Sequence, residues 1–183
     1  MPRSSLRPTG SRMRAAWPCV GVSVGAIVCS SACSVGNLDF SNDHRLRFTA
    51  PRANAAVQQP VTVSWTMKDF QVTGLDGGTR DDRGVFGVFL DRAPIRPGQT
   101  LKAVAGDDSA CKRDPRCPDA AYLAERDVWT TTDPHITLDT FPPSLVKHGR
   151  DDHTVVVVLL DGTGRRRGEA AWQLTFHLPS GTS

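Results

Sequence analysis

Two apolar runs near the C-terminal end constrain this chain more than any other feature. His153–Asp161 reads HTVVVVLLD, an almost unbroken β-branched stretch. Residues 171–178 read AWQLTFHL, where Trp172, Leu174, Phe176 and Leu178 alternate with Gln173, Thr175 and His177. The first pattern suits a central strand buried on both faces; the second suits a strand with one face in the core. Between them, DGTGRRRG (161–168) supplies glycines for a tight turn. A hairpin is expected here, with His177 pointing outward.

The same period of two recurs upstream. VTVSWT (61–66) places Val61, Val63 and Trp65 on one face and Thr62, Ser64 and Thr66 on the other. RLRFT (45–49) opens the domain, and APRANAAVQQP (50–60) turns the chain into the Trp65 strand. GVFGVFLD (84–91) and HITLDT (135–140) are further strands, and the Pro-Gly turn RPGQ (96–99) leads into TLKAVA. Seven or eight short strands separated by turn signals predict an all-β fold, an antiparallel β-sandwich rather than an α/β architecture.

FTAPRANAAVQQPVTVSW followed by GVFGVFLDRAPIRPGQTL resembles the Ig-like or fibronectin-III-like domains of bacterial surface lipoproteins, particularly those of high-GC Gram-positive bacteria. The resemblance implies that Trp65 is the core tryptophan of an early strand and that Val155–Leu178 is the closing hairpin of an Ig-like sandwich. No cysteine lies in either place, so the inter-sheet disulfide of antibody domains is absent. The resemblance brings no catalytic residues with it.

The N-terminal segment reads as an address. Arg3, Arg7, Arg12 and Arg14 precede the apolar run Ala15–Val28, with no acidic residue among them. The run is shorter than the roughly 20 residues of a membrane span and contains Pro18 and two glycines. Residues 1–32 are therefore expected to be an export signal. Ser30-Ser31-Ala32 before Cys33 resembles a bacterial lipobox, although Ser30 stands where Leu is usual. That resemblance implies lipidation of Cys33, with several acyl chains at about 0.8 kcal/mol per buried methylene giving a stable anchor. Ser30-x-Ala32 also suits ordinary signal peptidase cleavage and plain secretion. Cys29 follows the bulkier Val28 and fits less well. Residues 33–43 would then be a polar tether, 44–179 the folded domain and 180–183 a tail. The expected location is the outer face of the cell membrane, with the cytoplasmic membrane as the first partner.

Removing the signal removes two distractions. GVSVG (21–25) matches the nucleophile elbow of α/β-hydrolases but lies inside the apolar run. The whole chain has 22 Lys+Arg against 19 Asp+Glu; without the four early arginines it has 18 against 19, a net charge near −1. Nucleic acid, which attracts basic surfaces, is not an expected partner.

Beyond Cys33 the cysteines are Cys111 and Cys117, in CKRDPRC. In an oxidising compartment a disulfide is expected; zinc would need further ligands, and no histidine lies nearby in sequence. The pair sits in a non-alternating insertion, 105–134, which includes a short helix expected over 118–127. The insertion is read either as a lid over one end of the core or as a partner-binding surface anchored by Tyr122 and Trp129.

Catalytic signals are weak. His44, His135, His148, His153 and His177 show no metal spacing and are expected at the surface. Asp76, Asp81-Asp82, Asp107-Asp108 and Asp151-Asp152 read as solvated turns, with a loop-assembled calcium site as the alternative. Arg165–Arg167 is expected as a soluble hairpin tip or a contact to anionic lipid headgroups. Ser144 has no elbow motif. The expectation is a non-enzymatic domain, without catalytic or metal-ligating residues and without a cofactor, that binds a protein or envelope component. An extracytoplasmic small-ligand or metal carrier and an envelope hydrolase are the alternatives.

Overall fold

The computed structural model describes residues 43–142 and 150–179. Cys33, His148, Ser144, residues 1–42 and the tail 180–183 lie outside the described residues. Among the described residues, eight strands form two sheets. β1 (Leu46–Ala50), β2 (Val61–Met67) and β6 (His135–Leu138) make a three-stranded antiparallel sheet in the order β1-β2-β6. The second sheet runs β3-β4-β7-β8, from β3 (Gln71–Val72), β4 (Arg83–Leu90), β7 (Arg150–Leu160) and β8 (Arg166–Pro179). β5 (Val128–Thr131) also pairs with β4. All these pairings are antiparallel except β3 with β4. The fold is mostly β, with mixed sheets and few helices.

Alternation decides which side chains meet. Val61, Val63 and Trp65 of β2 are buried while Thr62 and Thr66 are exposed. They join Leu46 and Leu138 in one cluster with Phe86, Val88, Leu90, Val155, Val157, Leu159, Leu174, Phe176 and Leu178. Both sheets thus contribute to one apolar cluster. Trp65 meets Phe86 of the other sheet edge-on, with ring centroids 5.3 Å apart, the favoured arrangement of aromatic pairs. The hairpin forms as the sequence predicts: Val155 pairs with Leu174 and Thr154 with Thr175. At its turn, Asp161 accepts hydrogen bonds from the Thr163 amide (2.9 Å), the Thr163 hydroxyl (2.6 Å) and the Arg165 amide (3.1 Å).

The intervening residues of β4 and β7 point the opposite way. Val85, Phe89, Val128, Val156, Val158 and Leu160 form a second cluster with Ile95, Leu101, Val104 and Leu123. This explains the unbroken β-branched run of β7, which is buried on both faces. It also corrects the expected position of the insertion. Ile95, Leu101, Val104 and Leu123 cover the second face of the five-stranded sheet rather than one end of the core, so the cover begins before residue 105, while residues 128–131 of the expected insertion are β5, a strand of the sheet itself.

TLKAVA, into which the Pro-Gly turn leads, forms a 3-10 helix over Leu101–Ala105, with Leu101, Val104 and Ala105 buried. α1 (Ser109–Arg113) and α2 (Ala120–Ala124) follow. α2 is shorter than the expected 118–127, and Asp119, outside it, caps it by accepting from the Tyr122 amide. The Cys111–Cys117 disulfide is present, with Cα atoms 5.1 Å apart. Asp108 caps α1 through the Ala110 and Cys111 amides and also accepts from the Tyr122 hydroxyl at 2.9 Å. The disulfide and these polar ties hold the cover together.

Glycine is required where β4 begins. Gly84 has φ +148°, and a Cβ there would stand 1.9 Å from the Leu160 carbonyl oxygen. β3 joins this glycine's outer side, with Thr73 N donating to Gly84 O at 2.9 Å.

Candidate functional site

β4 is longer than either partner on its outer edge. β3 pairs with it through Gly84, and β5 pairs with it from Phe86 onward. The seam between them falls at Val85. Here a groove of about 340 Å³ opens, lined by Gly74, Leu75, Val85, Thr130, Thr131 and Thr132. Val85 is buried, whereas Leu75 is 54% exposed and nearby Val72 is 38% exposed. These are the exposed large apolar side chains of the described residues, and both belong to the segment that forms the groove's outer wall. An uncharged groove beside exposed aliphatic groups and a strand edge is suited to binding rather than to proton transfer.

A second polar cluster lies at the other end of β4. His153 is fully buried, contrary to the surface position expected for every histidine. Its Nδ1 lies 2.6 Å from Asp91 Oδ2, and its Nε2 lies 3.5 Å from Asp151 Oδ2. Phe141 covers the ring at 4.6 Å between centroids. Burial alone would lower the pKa of His153, but the hydrogen bond and charge of Asp91, helped by Asp151, outweigh it and hold the value above the ordinary histidine range. Asp91 also accepts from the Thr154 amide at 2.6 Å. This arrangement favours the protonated ring and ties β4 to β7. Parity along β7 could have revealed it, since His153 falls in step with Val155, Val157 and Leu159.

The remaining sequence candidates are scattered. Tyr122 stands on α2, and its hydroxyl is engaged by Asp108; the Arg126 guanidinium lies 3.5 Å from the ring centroid. Trp129 lies on β5 and packs against the cluster shared by the two sheets. Tyr122 is thus held on the helical cover, and Trp129 stands on the sheet itself. His44 and His135 are exposed, and His177 pairs with Asp152 at 2.5 Å.

Three supposed surface groups are structural. Arg166 is buried and donates to the carbonyls of Ile95 (2.6 Å), Glu169 (2.8 Å) and Ala170 (3.2 Å), so it does not belong to a soluble tip. Asp108 organises the cover, and Asp151 faces His153. Asp81 and Asp82 are exposed and paired with arginines, Asp81 with Arg167 and Asp82 with Arg80. Among the described residues, no three His, Cys, Asp or Glu side chains gather in a metal-holding group, and no helix is long and apolar enough to cross a membrane. Comparison with family models, curated proteins and solved structures finds no match for this chain.

Proposed function

We propose that this chain is a non-enzymatic, lipid-anchored extracytoplasmic module of Ig-like β-sandwich type that binds a protein or envelope component. The observation that carries the binding role is the seam groove, where Leu75 stands exposed beside β5, a strand that pairs with β4 alone among the described residues. Support for the address comes from the basic-then-apolar N-terminal segment, from Ala32-Cys33, and from the disulfide, a bond that persists in oxidising compartments. Support for the sandwich comes from the apolar cluster built by both sheets.

Two measurements test the reading separately. Radiolabelled fatty acid is retained by the wild type and lost in Cys33→Ala; retention in the variant, or no label in either, removes the anchor. Photocrosslinkers placed singly at exposed positions over the domain capture a defined envelope partner in intact cells. Silence from every position removes the binding role.

A further inference from the structure

We infer that the outer edge of β5, together with the groove at Val85, receives an extended segment of a partner polypeptide as an added strand. The segment presents an aliphatic side chain to Leu75 and basic residues to Asp76 and Asp133. This inference rests on the proposed binding role and names its surface and partner chemistry.

The backbone supplies the first reason. Among the described residues β5 pairs with β4 alone, so no strand is hydrogen-bonded along its other side, the arrangement to which an added strand pairs. The opposite edge of the same sheet is closed at both ends. Near the C-terminal end of β8, Asn54 N donates to Thr175 O and Val57 N to His177 O, at 2.7 and 2.9 Å. Near its start, Arg166 N donates to Gln99 O at 2.8 Å. In the smaller sheet, the β1 edge is interrupted by a register shift between Phe48 and Ala50 and carries Arg47. Val128-Trp129-Thr130-Thr131 has no charge, proline or irregularity, the usual devices that repel a passing strand.

Side chains and charge supply the rest. Leu75 and the groove floor at Val85 offer an aliphatic seat beside the edge. Each wall continues into an exposed carboxylate, Asp76 after Leu75 and Asp133 after Thr132. Neither is ion-paired among the described residues, while nearby Asp81 and Asp82 are neutralised by arginines. The complementary strand is therefore apolar in the middle and cationic at its ends.

The test uses the full chain and a fluorescein-labelled octapeptide, Lys-Thr-Val-Thr-Val-Thr-Val-Lys, with binding read by fluorescence anisotropy. The peptide binds the wild type. Losing the Leu75 contact in Leu75→Ser weakens binding about tenfold, the equivalent of one aliphatic side chain leaving a contact. The fold is unaffected because Leu75 is exposed, as circular dichroism verifies. Glu-flanked peptide and the Asp76→Lys/Asp133→Lys double variant both bind more weakly, and a peptide N-methylated at alternate amides does not bind. Equal binding of the N-methylated peptide, or undiminished binding to Leu75→Ser, overturns the added strand. A dimer in sedimentation that dissociates in Leu75→Ser makes a second copy the occupant and overturns the partner polypeptide. Absent peptide binding with cellular crosslinks arising away from Leu75 and Thr130 removes this surface while leaving the binding role intact; absent crosslinks everywhere remove the role itself.

Discussion

Nδ1 of His153 and Oδ2 of Asp91 lie 2.6 Å apart, joining positions 62 residues distant in the sequence. The contact binds the end of β4 to β7 beneath the Phe141 ring, and it makes stability depend on a proton.

A base whose folded pKa exceeds its unfolded value holds its proton more tightly in the native state. Its stabilising contribution is complete below the unfolded value, about 6.5, and is lost as pH rises through the raised folded value. The melting temperature is therefore expected to fall on passing from mildly acidic to mildly alkaline buffer. Asp91→Asn flattens that slope, leaving only the weaker contribution of Asp151, and lowers stability at pH 6 by about 2 kcal/mol, the size of a hydrogen bond to a charged group. Thermal melts of both proteins across the interval check this; identical slopes contradict it.

The disulfide closes a short loop within the cover of the second sheet face. Replacing Cys111 and Cys117 together by serine should cost about 2 kcal/mol by the chain-entropy relation. The loss should be local. Hydrogen exchange is expected to quicken at Leu101–Leu123 before it does in β7 and β8, and a uniform increase would refute this picture.

Gly84 admits no side chain. Its φ is +148°, and a methyl carbon added there would come within 1.9 Å of the Leu160 carbonyl oxygen, so Gly84→Ala must displace β4 from β7. A loss of about 3 kcal/mol or more is expected in urea denaturation, combining backbone strain with overlap. Gly98→Ala, with nothing within 4 Å of the added carbon, serves as the strained but uncrowded comparison.

Arg166 serves three carbonyls with one planar fork. Arg166→Lys keeps the charge but cannot reproduce that geometry, so it is expected to destabilise the domain by about 2 kcal/mol. Equal urea midpoints for the two proteins would argue against the role.

Much of the sheet structure is legible in the sequence because period two is a local signal. Val61, Val63 and Trp65 declare an inward face without reference to any partner, and so do Leu174, Phe176 and Leu178. The β-branched run of β7 announces burial on both sides, yet nothing local says that one side is covered by the insertion. TLKAVA stays open because a short apolar run is ambiguous between strand and helix until its destination is known. β3 has two residues and no pattern to read. The seam groove arises from where two pairings stop along β4, a property of register that no single segment carries. Arg166 and His153 escape for another reason: polarity suggests exposure, although strand parity already places His153 inward.

The cover over the second sheet face also divides its residues into two populations. Leu101, Val104, Cys111 and Leu123 are turned inward, whereas Lys102, Ala103, Ser109, Ala110, Lys112 and Arg113 are open to solvent. The outer side can consequently be rewritten in charge and shape by successive substitutions while the underside keeps the strands dry. Lineages descending from such a chain would diverge fastest on this roof and slowest along the seam between the two sheets.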